Sequence, residues 1–522
     1  MPFQQYPSKA GTPSGNTAGR PSGPVIGDTY YNGQLEILEI YNGTSWVAVS
    51  APAATPSITS VTDASTGDAY SSTGGKLSVT FQPGTGGSTP TQYNAFTTVG
   101  GFSGYSATTT VTISGLTPGT SYVVYGNAQN NFGTTVNTGN YASVLTTTKP
   151  QAPTIGTAST SSTTTDITVT WTLGDTGGKN LTSITITPYL NGTTAQTSRT
   201  AATTSSTSYT FTGATALTAG NAYTFKVKTT NANGDSTESS ATNSVTVPVF
   251  FTVDYLVIAG GGGGARSGGG GGAGGYRTTT TTSGAGSSAE SSLSLAKSVN
   301  YTVTVGAGGA GFNTDGQQAP AGDDSVFSTI TSSGGGGGGS YNATGRNGGS
   351  GGGGGDSGPK AGGTGTANQG KDGGSSASGG TRGSGGGGGS SANGANGTGG
   401  VGGNGGAGLA NSITGSSVTR GGGGGGSSYS TLGTGGSGGG GNAGDHSRGI
   451  SPTAGTANTG GGGGGGNDGT GYAGGSGVVI LRWLTSAATI SVGAGLTADS
   501  TGTDGSYSYK RFTAGSGTVS WS

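Results

Sequence analysis

The sequence predicts a mainly β protein in five segments, and three observations lead there. Short alternating strands separated by turn residues run through residues 53–249. Two Asn-Gly steps, Asn32-Gly33 and Asn42-Gly43, punctuate the segment before them. The glycine runs that follow are bracketed by strand-like sequence. The expected order is an N-terminal β-meander (1–52), two β-sandwiches (53–149 and 150–249), a glycine-rich zone of packed polyglycine II helices with flanking strands (250–485) and a C-terminal β element (486–522).

Composition narrows the function classes. Glycine accounts for 122 of 522 residues, where roughly 7% is usual. Charged residues are only 8%, which argues against an ordinary mixed α/β enzyme. Lys plus Arg equal Asp plus Glu at 20 each, so no net charge favours nucleic acid or an anionic membrane surface. No apolar run reaches the ~18 residues of a membrane span, and the opening MPFQQYPSKAGTPSG has no apolar stretch of signal-peptide length. The expectation is a soluble chain with no membrane insertion and no recognisable export signal. The absence of cysteine excludes disulfides, thiolate zinc sites and cysteine nucleophiles. The single histidine, His446 in GNAGDHSRG, reads as a solvated loop residue, and Asp323 and Asp324 read as Asx-turn formers ahead of the strand SVFSTI. No catalytic residue, cofactor or metal is expected.

In the first segment the Asn-Gly steps separate three short strands, because both residues of such a turn take positive φ readily. Leu35, Ile37 and Glu39 alternate with Glu36, Leu38 and Ile40, an imperfect pattern that implies burial on more than one face. A meander of this size buries too little to stand alone, so it is expected to dock on another subunit or protein.

Each of the next two segments has the length of a β-sandwich, about 100 residues. In the second, NAYTFKVKTTNANGD puts Tyr223, Phe225 and Val227 on one face and Thr224, Lys226 and Lys228 on the other. VTISGLTPGTSYVVYGNAQNNFG resembles the fibronectin type III pattern Leu-x-Pro-Gly-x-x-Tyr followed by a strand ending in Ala-x-Asn-x-x-Gly, with Leu116, Pro118, Gly119 and Tyr122 in place. The second copy keeps Leu217, Gly220 and Tyr223, puts Ala219 where proline is usual, and carries Trp171 where the first has Phe81. The resemblance implies fold and a spacer role, since such sandwiches serve many functions.

VDYLVIAGGGGGARSGGGGGAGG, residues 253–275, sets a strand against glycines in the order of a dinucleotide site. The helix that such a site requires is missing, because YRTTTTTSGAGSSAE follows, and any long glycine run matches G-x-G-x-x-G trivially. A flexible linker would need no strand at its entry (FFTVDYLVIAG), its exit (SGVVILRWL) or between (YTVTVGAGG). Glycine has an ordered alternative: an extended left-handed helix of three residues per turn with a rise of about 3.1 Å and no internal hydrogen bonds. Its N–H and C=O groups must then bond to neighbouring runs, and glycines lacking Cβ allow that approach. Valine at Gly423 or Gly463 should break such packing, whereas Ser427, just outside a run, should tolerate it.

This zone also resembles the glycine-rich domains of tailed-phage tail fibres and receptor-binding adhesins, through VDYLVIAGGGGG, YTVTVGAGG and SGVVILRW; GRPSGPVIGDTYYNGQLEILEIYNGTSWV is similar to small hairpin modules of phage fibres. The resemblance implies a non-enzymatic virion protein, made in the host cytoplasm. Its N-terminus would join other tail or baseplate proteins, and loops between glycine helices would contact a host surface glycan or outer-membrane protein. It implies a homo-oligomer, with a trimer favoured. A purely structural or decorating protein is the alternative; a glycan-degrading tail enzyme would need paired acids about a groove, and acids are sparse. The receptor-contact candidates are Tyr341, Arg346, Arg382, Arg420, Tyr429, His446, Arg448 and Tyr472, because aromatic rings and arginines bring area and polar reach at low entropy cost.

Overall fold

The computed structural model describes residues 14–15, 17–32, 37–48, 52–85, 87–212, 217–378 and 382–522. The protein is nearly all β. It divides into two compact units, residues 1–161 with 165–247, and residues 162–164 with 248–522.

In the first unit the meander strands are Thr29–Asn32, Ile37–Tyr41 and Trp46–Ala48, all antiparallel, with Tyr31 opposite Leu38 and Ile40 opposite Val47. A fourth strand, Ser14–Gly15, pairs in parallel with the first. The expected two-residue turn at Asn42-Gly43 is instead a four-residue connection, because Tyr41 pairs with Trp46. Asn42 caps it, its Oδ1 accepting from the Thr44 and Ser45 backbone N–H groups at 2.9 Å each. The turn proposed at Asn32-Gly33, with Leu35 and Glu36, falls largely outside the described residues. The two faces are inverted relative to polarity. Glu39 is buried and clasped by Arg20, whereas Tyr31, Leu38, Ile40 and Val47 are exposed.

The first sandwich packs Ser57–Asp63, Gly75–Gln82 and Thr110–Leu116 against a sheet ordered Gly133–Thr134, Val124–Asn130, Gln92–Thr97, Ser103–Ser106. Leu77, Val79, Phe81, Val111, Ile113, Leu116 and Val124 fill the space between. In the second, Ile167, Val169, Trp171, Ile184, Ile186, Phe211, Phe225 and Val227 do the same, and the strand Ala222–Asn231 alternates buried and half-buried positions as its sequence predicts. The Leu-x-Pro-Gly-x-x-Tyr motif has a mechanical meaning: the Tyr122 hydroxyl accepts the Thr117 backbone N–H at 3.0 Å, and the Tyr223 hydroxyl accepts that of Thr218 at 3.3 Å. Each ring locks the corner into which its strand is fed, and Gly119 and Gly220 supply the positive φ of +80° and +86° that the corner requires.

The second unit is organised by one sheet, ordered Tyr276–Thr278, Phe250–Ile258, Val478–Leu484, Tyr507–Trp521, Tyr301–Val305, Ser325–Phe327, Ile330–Ser332. The C-terminal β element is thus woven in, since its last strand pairs with both Val478–Leu484 and Tyr301–Val305. Tyr255, Val257, Leu481, Trp483, Phe512 and Trp521 belong to the core on one face, and Leu256, Ile258, Tyr276, Val478 and Ile480 to that on the other. Burial on both faces explains why YLVI, residues 255–258, reads as an unbroken apolar run.

From this sheet the glycine runs project as a lattice. Run 260–265 shows its rule: Gly260 and Gly263 donate to Asp323 and Pro320, Gly261 and Gly264 to Gly475 and Tyr472, Gly262 and Ala265 to Gly272 and Gly269. Donors three apart address the same neighbour, the signature of three residues per turn. Acceptors fall by three each time, so those three neighbours are antiparallel. The carbonyls of the same run accept from three parallel neighbours, from Gly335 and Gly338, Gly309 and Phe312, Gly463 and Gly466. Six neighbours surround this helix, and every peptide group in it is satisfied from outside.

Glycine is required because the neighbours stand where Cβ would be. A Cβ on Gly263 would overlap the Ala310 carbonyl, one on Gly423 that of Gly387, and one on Gly463 that of Tyr472. At the surface of the lattice the demand falls to one face: Gly394 and Gly397 are buried while Ala395, Asn396 and Thr398 are exposed. Asparagine replaces missing neighbours there. The Asn347, Asn396, Asn404 and Asn442 side-chain oxygens accept N–H groups of Thr364, Ser375, Thr434 and Gly435 at 2.8–2.9 Å. Asp324 does likewise for Gly334 at 2.7 Å, so it bridges two runs instead of forming the expected Asx turn. Ser427 is fully buried, its hydroxyl donating to the Gly268 carbonyl at 3.1 Å; the expectation that it lies harmlessly outside a run is corrected.

Candidate functional site

The runs alternate in direction, so their turns gather at two ends. The base is the end joined to the sheet, where Ile258, Val305 and Val478 meet the glycines. The opposite end, the apex, is built from turns near residues 266, 315, 341, 356, 382, 400, 429, 446 and 468. These turns are cross-linked: Arg266 bridges to Gly466, Gly383 to Ser428 and Val401 to Thr431. The Arg266 carbonyl accepts from Tyr341 N, and the Gly400 carbonyl from Ser430 N.

Five of the eight residues expected from sequence meet at the apex. The Arg382 guanidinium lies between two rings, its Cζ 5.2 Å from the Tyr341 centroid and 4.9 Å from that of Tyr429, and it donates to the Tyr429 hydroxyl. His446 and Arg448 occupy a single 3₁₀ turn capped by Asp445, which accepts from Ser447 N at 3.0 Å. Arg448 reaches back to Asp445 at 2.6 Å and across to the Ser430 carbonyl at 2.9 Å. Burial works against the Asp445 carboxylate, but hydrogen bonds from Ser447 and Arg448 outweigh it and hold its pKa below the usual value. The His446 ring sits against Gly469, where a Cβ would strike it.

Arg346 and Tyr472 are exposed but stand on the flanks, within runs: their N–H groups bond to the mid-run carbonyls of Gly337 and Gly464. Arg420 is a correction. It lies at the base beside Tyr276, 4% exposed, with Nη1 buried and unpaired. Burial, which pulls its pKa down, leaves no surface for a receptor.

Sequence reasoning missed Asp356. Its side chain is wholly covered below the apex, neither carboxylate oxygen has a hydrogen-bond donor, and Arg382 Nη1 lies 3.9 Å away. Burial, opposed by Arg382, pushes its pKa up to about 6. It also missed Val401 and Ile450, exposed apolar residues of the same surface at 39% and 44%. The signal was available, because turns between glycine runs of similar length must alternate between two ends.

Among the described residues no group of three His, Cys, Asp or Glu side chains could hold a metal, and no helix is long and apolar enough to cross a membrane. The arrangement is a hydrogen-bonded support carrying a mixed aromatic, cationic and apolar surface.

Fold and site together define a β-rich protein of the adhesin-like or structural class. Residues 237–484 match the family model of a glycine-rich domain, and residues 151–245 match that of the fibronectin type III domain. Among solved structures, domains A168–A170 of titin are 16% identical, with 40% of this chain and 73% of that one covered and a TM-score of 0.23. The FN1–FN3 domains of chicken CNTN1 are 14% identical over 40% and 80%, with a TM-score of 0.24. No curated protein matches the chain.

Proposed function

We propose that this chain is a tail fibre or adhesin of a tailed phage that attaches the virion to a bacterial surface through the apex of its glycine lattice. One observation carries the reading: turns far apart in sequence converge to place Tyr341, Arg382, Tyr429, His446, Arg448, Val401 and Ile450 on one cross-linked end. Loops held by a rigid scaffold are where recognition residues sit, and aromatic and arginine side chains dominate binding energy. The receptor is a surface glycan or an outer-membrane protein. The exposed face of Tyr31, Leu38, Ile40 and Val47 supports docking of the N-terminal meander on another tail or baseplate protein, and the sandwiches act as spacers. The chain is non-enzymatic, works as a homo-oligomer with a trimer favoured, and is made in the host cytoplasm for the virion.

The test uses beads coated with the full chain and a panel of Gram-negative strains. At least one strain should bind, and Tyr341→Ala, Tyr429→Ala and His446→Ala together should reduce binding at least about tenfold, equivalent to roughly 1.4 kcal/mol, with thermal melting unchanged. Undiminished binding by the folded triple variant removes the apex from the receptor site. The alternative, a structural or decorating protein, is favoured by the joint between the sandwiches, where the Asn231 and Asn233 side-chain amides donate to the Thr148 carbonyl at 2.9 and 3.1 Å.

A further inference from the structure

We propose that Asp356 is a positioning residue of the apex: buried beneath it, its carboxylate holds Arg382 between Tyr341 and Tyr429 and so sets the surface a receptor meets. The inference rests on the reading of the apex as a recognition surface.

The argument begins with an imbalance. A covered carboxylate with no hydrogen-bond donor is strongly unfavourable unless a cation stands near. Arg382 is that cation, 3.9 Å from Oδ2, with its own side chain 34% exposed. The other charged groups around Asp356 do not help it. Asp468 and Asp315 repel it. Arg266 is engaged with Asp315 at 3.7 Å. Tyr341 and Tyr429 flank Arg382, and His446 packs against Gly469 next to Asp468. The ionic pull on Arg382 therefore comes from below, while the two rings and the Tyr429 hydroxyl, which accepts from Nη1, shape where it rests.

The rings alone would not fix it. Cation–π contacts at exposed sites are comparable with the rotamer entropy an arginine loses on being held. With Asp356 ionised, attraction and stacking act together and unite the turns that carry Tyr341, Arg382 and Tyr429. With Asp356 neutral, the attraction is gone. Because burial places this carboxyl at about 6, the clamp is held above that value and released below it.

The test is made on the full chain labelled with ¹³C at aspartate carboxyls and ¹⁵N at arginine, titrated from about pH 5 to about pH 7.5, a window that brackets the shifted carboxyl and excludes ordinary aspartates. The Asp356 carboxyl and the Arg382 Nε–H resonance should titrate with one common midpoint near 6. In Asp356→Asn the Arg382 resonance should stay at its low-pH position throughout, and in Arg382→Gln the Asp356 midpoint should rise, since the stabilising cation is lost. An Arg382 resonance that ignores both pH and Asp356→Asn overturns the proposal. If Asp356→Asn does not fold, Arg382→Gln decides alone, and an unmoved midpoint overturns it. None of these readings involves a receptor, so their failure leaves the binding test intact, and failure of the binding test leaves the coupling measurable.

Discussion

The side-chain amide of Asn231 donates to the carbonyl oxygen of Thr148 at 2.9 Å, tying the end of strand Ala222–Asn231 in the second sandwich to the peptide that joins it to the first. Asn233 adds bonds to Thr147 Oγ1 at 2.8 Å and to the same Thr148 carbonyl at 3.1 Å. Asp63 of the first sandwich grips Thr147 from the other side, so the connection is clasped by both of its neighbours. Replacing Asn231 and Asn233 by alanine should leave both sandwiches folded but loosen the joint. The chain has no cysteine, so spin labels at cysteines introduced for Tyr105 and Thr193 report that one distance cleanly. The distribution should broaden in the double variant; an unchanged width means the joint is held by something else.

Gly423→Val and Gly463→Val should prevent folding of the glycine lattice. Each places a Cβ on a neighbour's carbonyl and parts runs whose stranded groups cost about 1–3 kcal/mol apiece. Ala395→Val, on an exposed flank, should be tolerated. Ser427→Val should destabilise, since it removes the hydroxyl's buried hydrogen bonds to the Gly268 carbonyl and to Ser384 Oγ and puts a larger side chain in a fully covered site. Limited proteolysis across residues 330–470 separates these outcomes, with Ala395→Val as resistant as the wild type.

The meander should weaken in acid. Hydrogen bonds from Arg20 outweigh burial and hold the Glu39 carboxyl below its ordinary value. A lowered folded-state pKa gives stability that is present above the unfolded value, about 4.3, and lost as pH falls through the folded one. Amide exchange along Ile37–Tyr41, corrected for its intrinsic pH dependence, should show protection near neutrality that fades below about pH 4. Arg20→Met should flatten that dependence. An identical acid profile in the variant would detach Glu39 from the effect.

Arg420→Met should leave the fold intact with an equal or higher melting temperature. Its guanidinium is buried with no carboxylate in ion-pair range among the described residues, and exchanging a poorly compensated buried charge for an apolar chain of similar volume is often neutral or stabilising. A drop of several degrees would show that Arg420 has a partner of real worth at the base.

Much of the fold was legible because it depends on local patterns. Tyr223, Phe225 and Val227 announce their face by alternation, and the tyrosine corner announces itself by spacing. The polyglycine helices follow from hydrogen-bond bookkeeping on a chain without Cβ atoms. What was not legible depends on partners distant in sequence. Arg420 and Arg382 stand in alike local sequence before glycine runs, and only the alternation of run directions between them separates a turn at the base from one at the apex. Asp356 looks like any turn acid until its covering loops are in place. Glu39 breaks the alternation of its strand for the sake of Arg20, nineteen residues away, and the inverted meander face follows from that pair.

The lattice should weaken the usual thermal signature of a folded domain. Opening an ordinary core exposes apolar surface, which raises heat capacity, whereas exposing peptide groups lowers it. Around Gly260–Ala265 the interior consists almost wholly of peptide groups bonded to peptide groups, so melting the lattice hydrates amides and little else. Its heat-capacity increment per residue should fall well below the usual ~12–15 cal/mol/K. A small increment flattens the curve of free energy against temperature, so the stability of the lattice should change little between cold and warm solution.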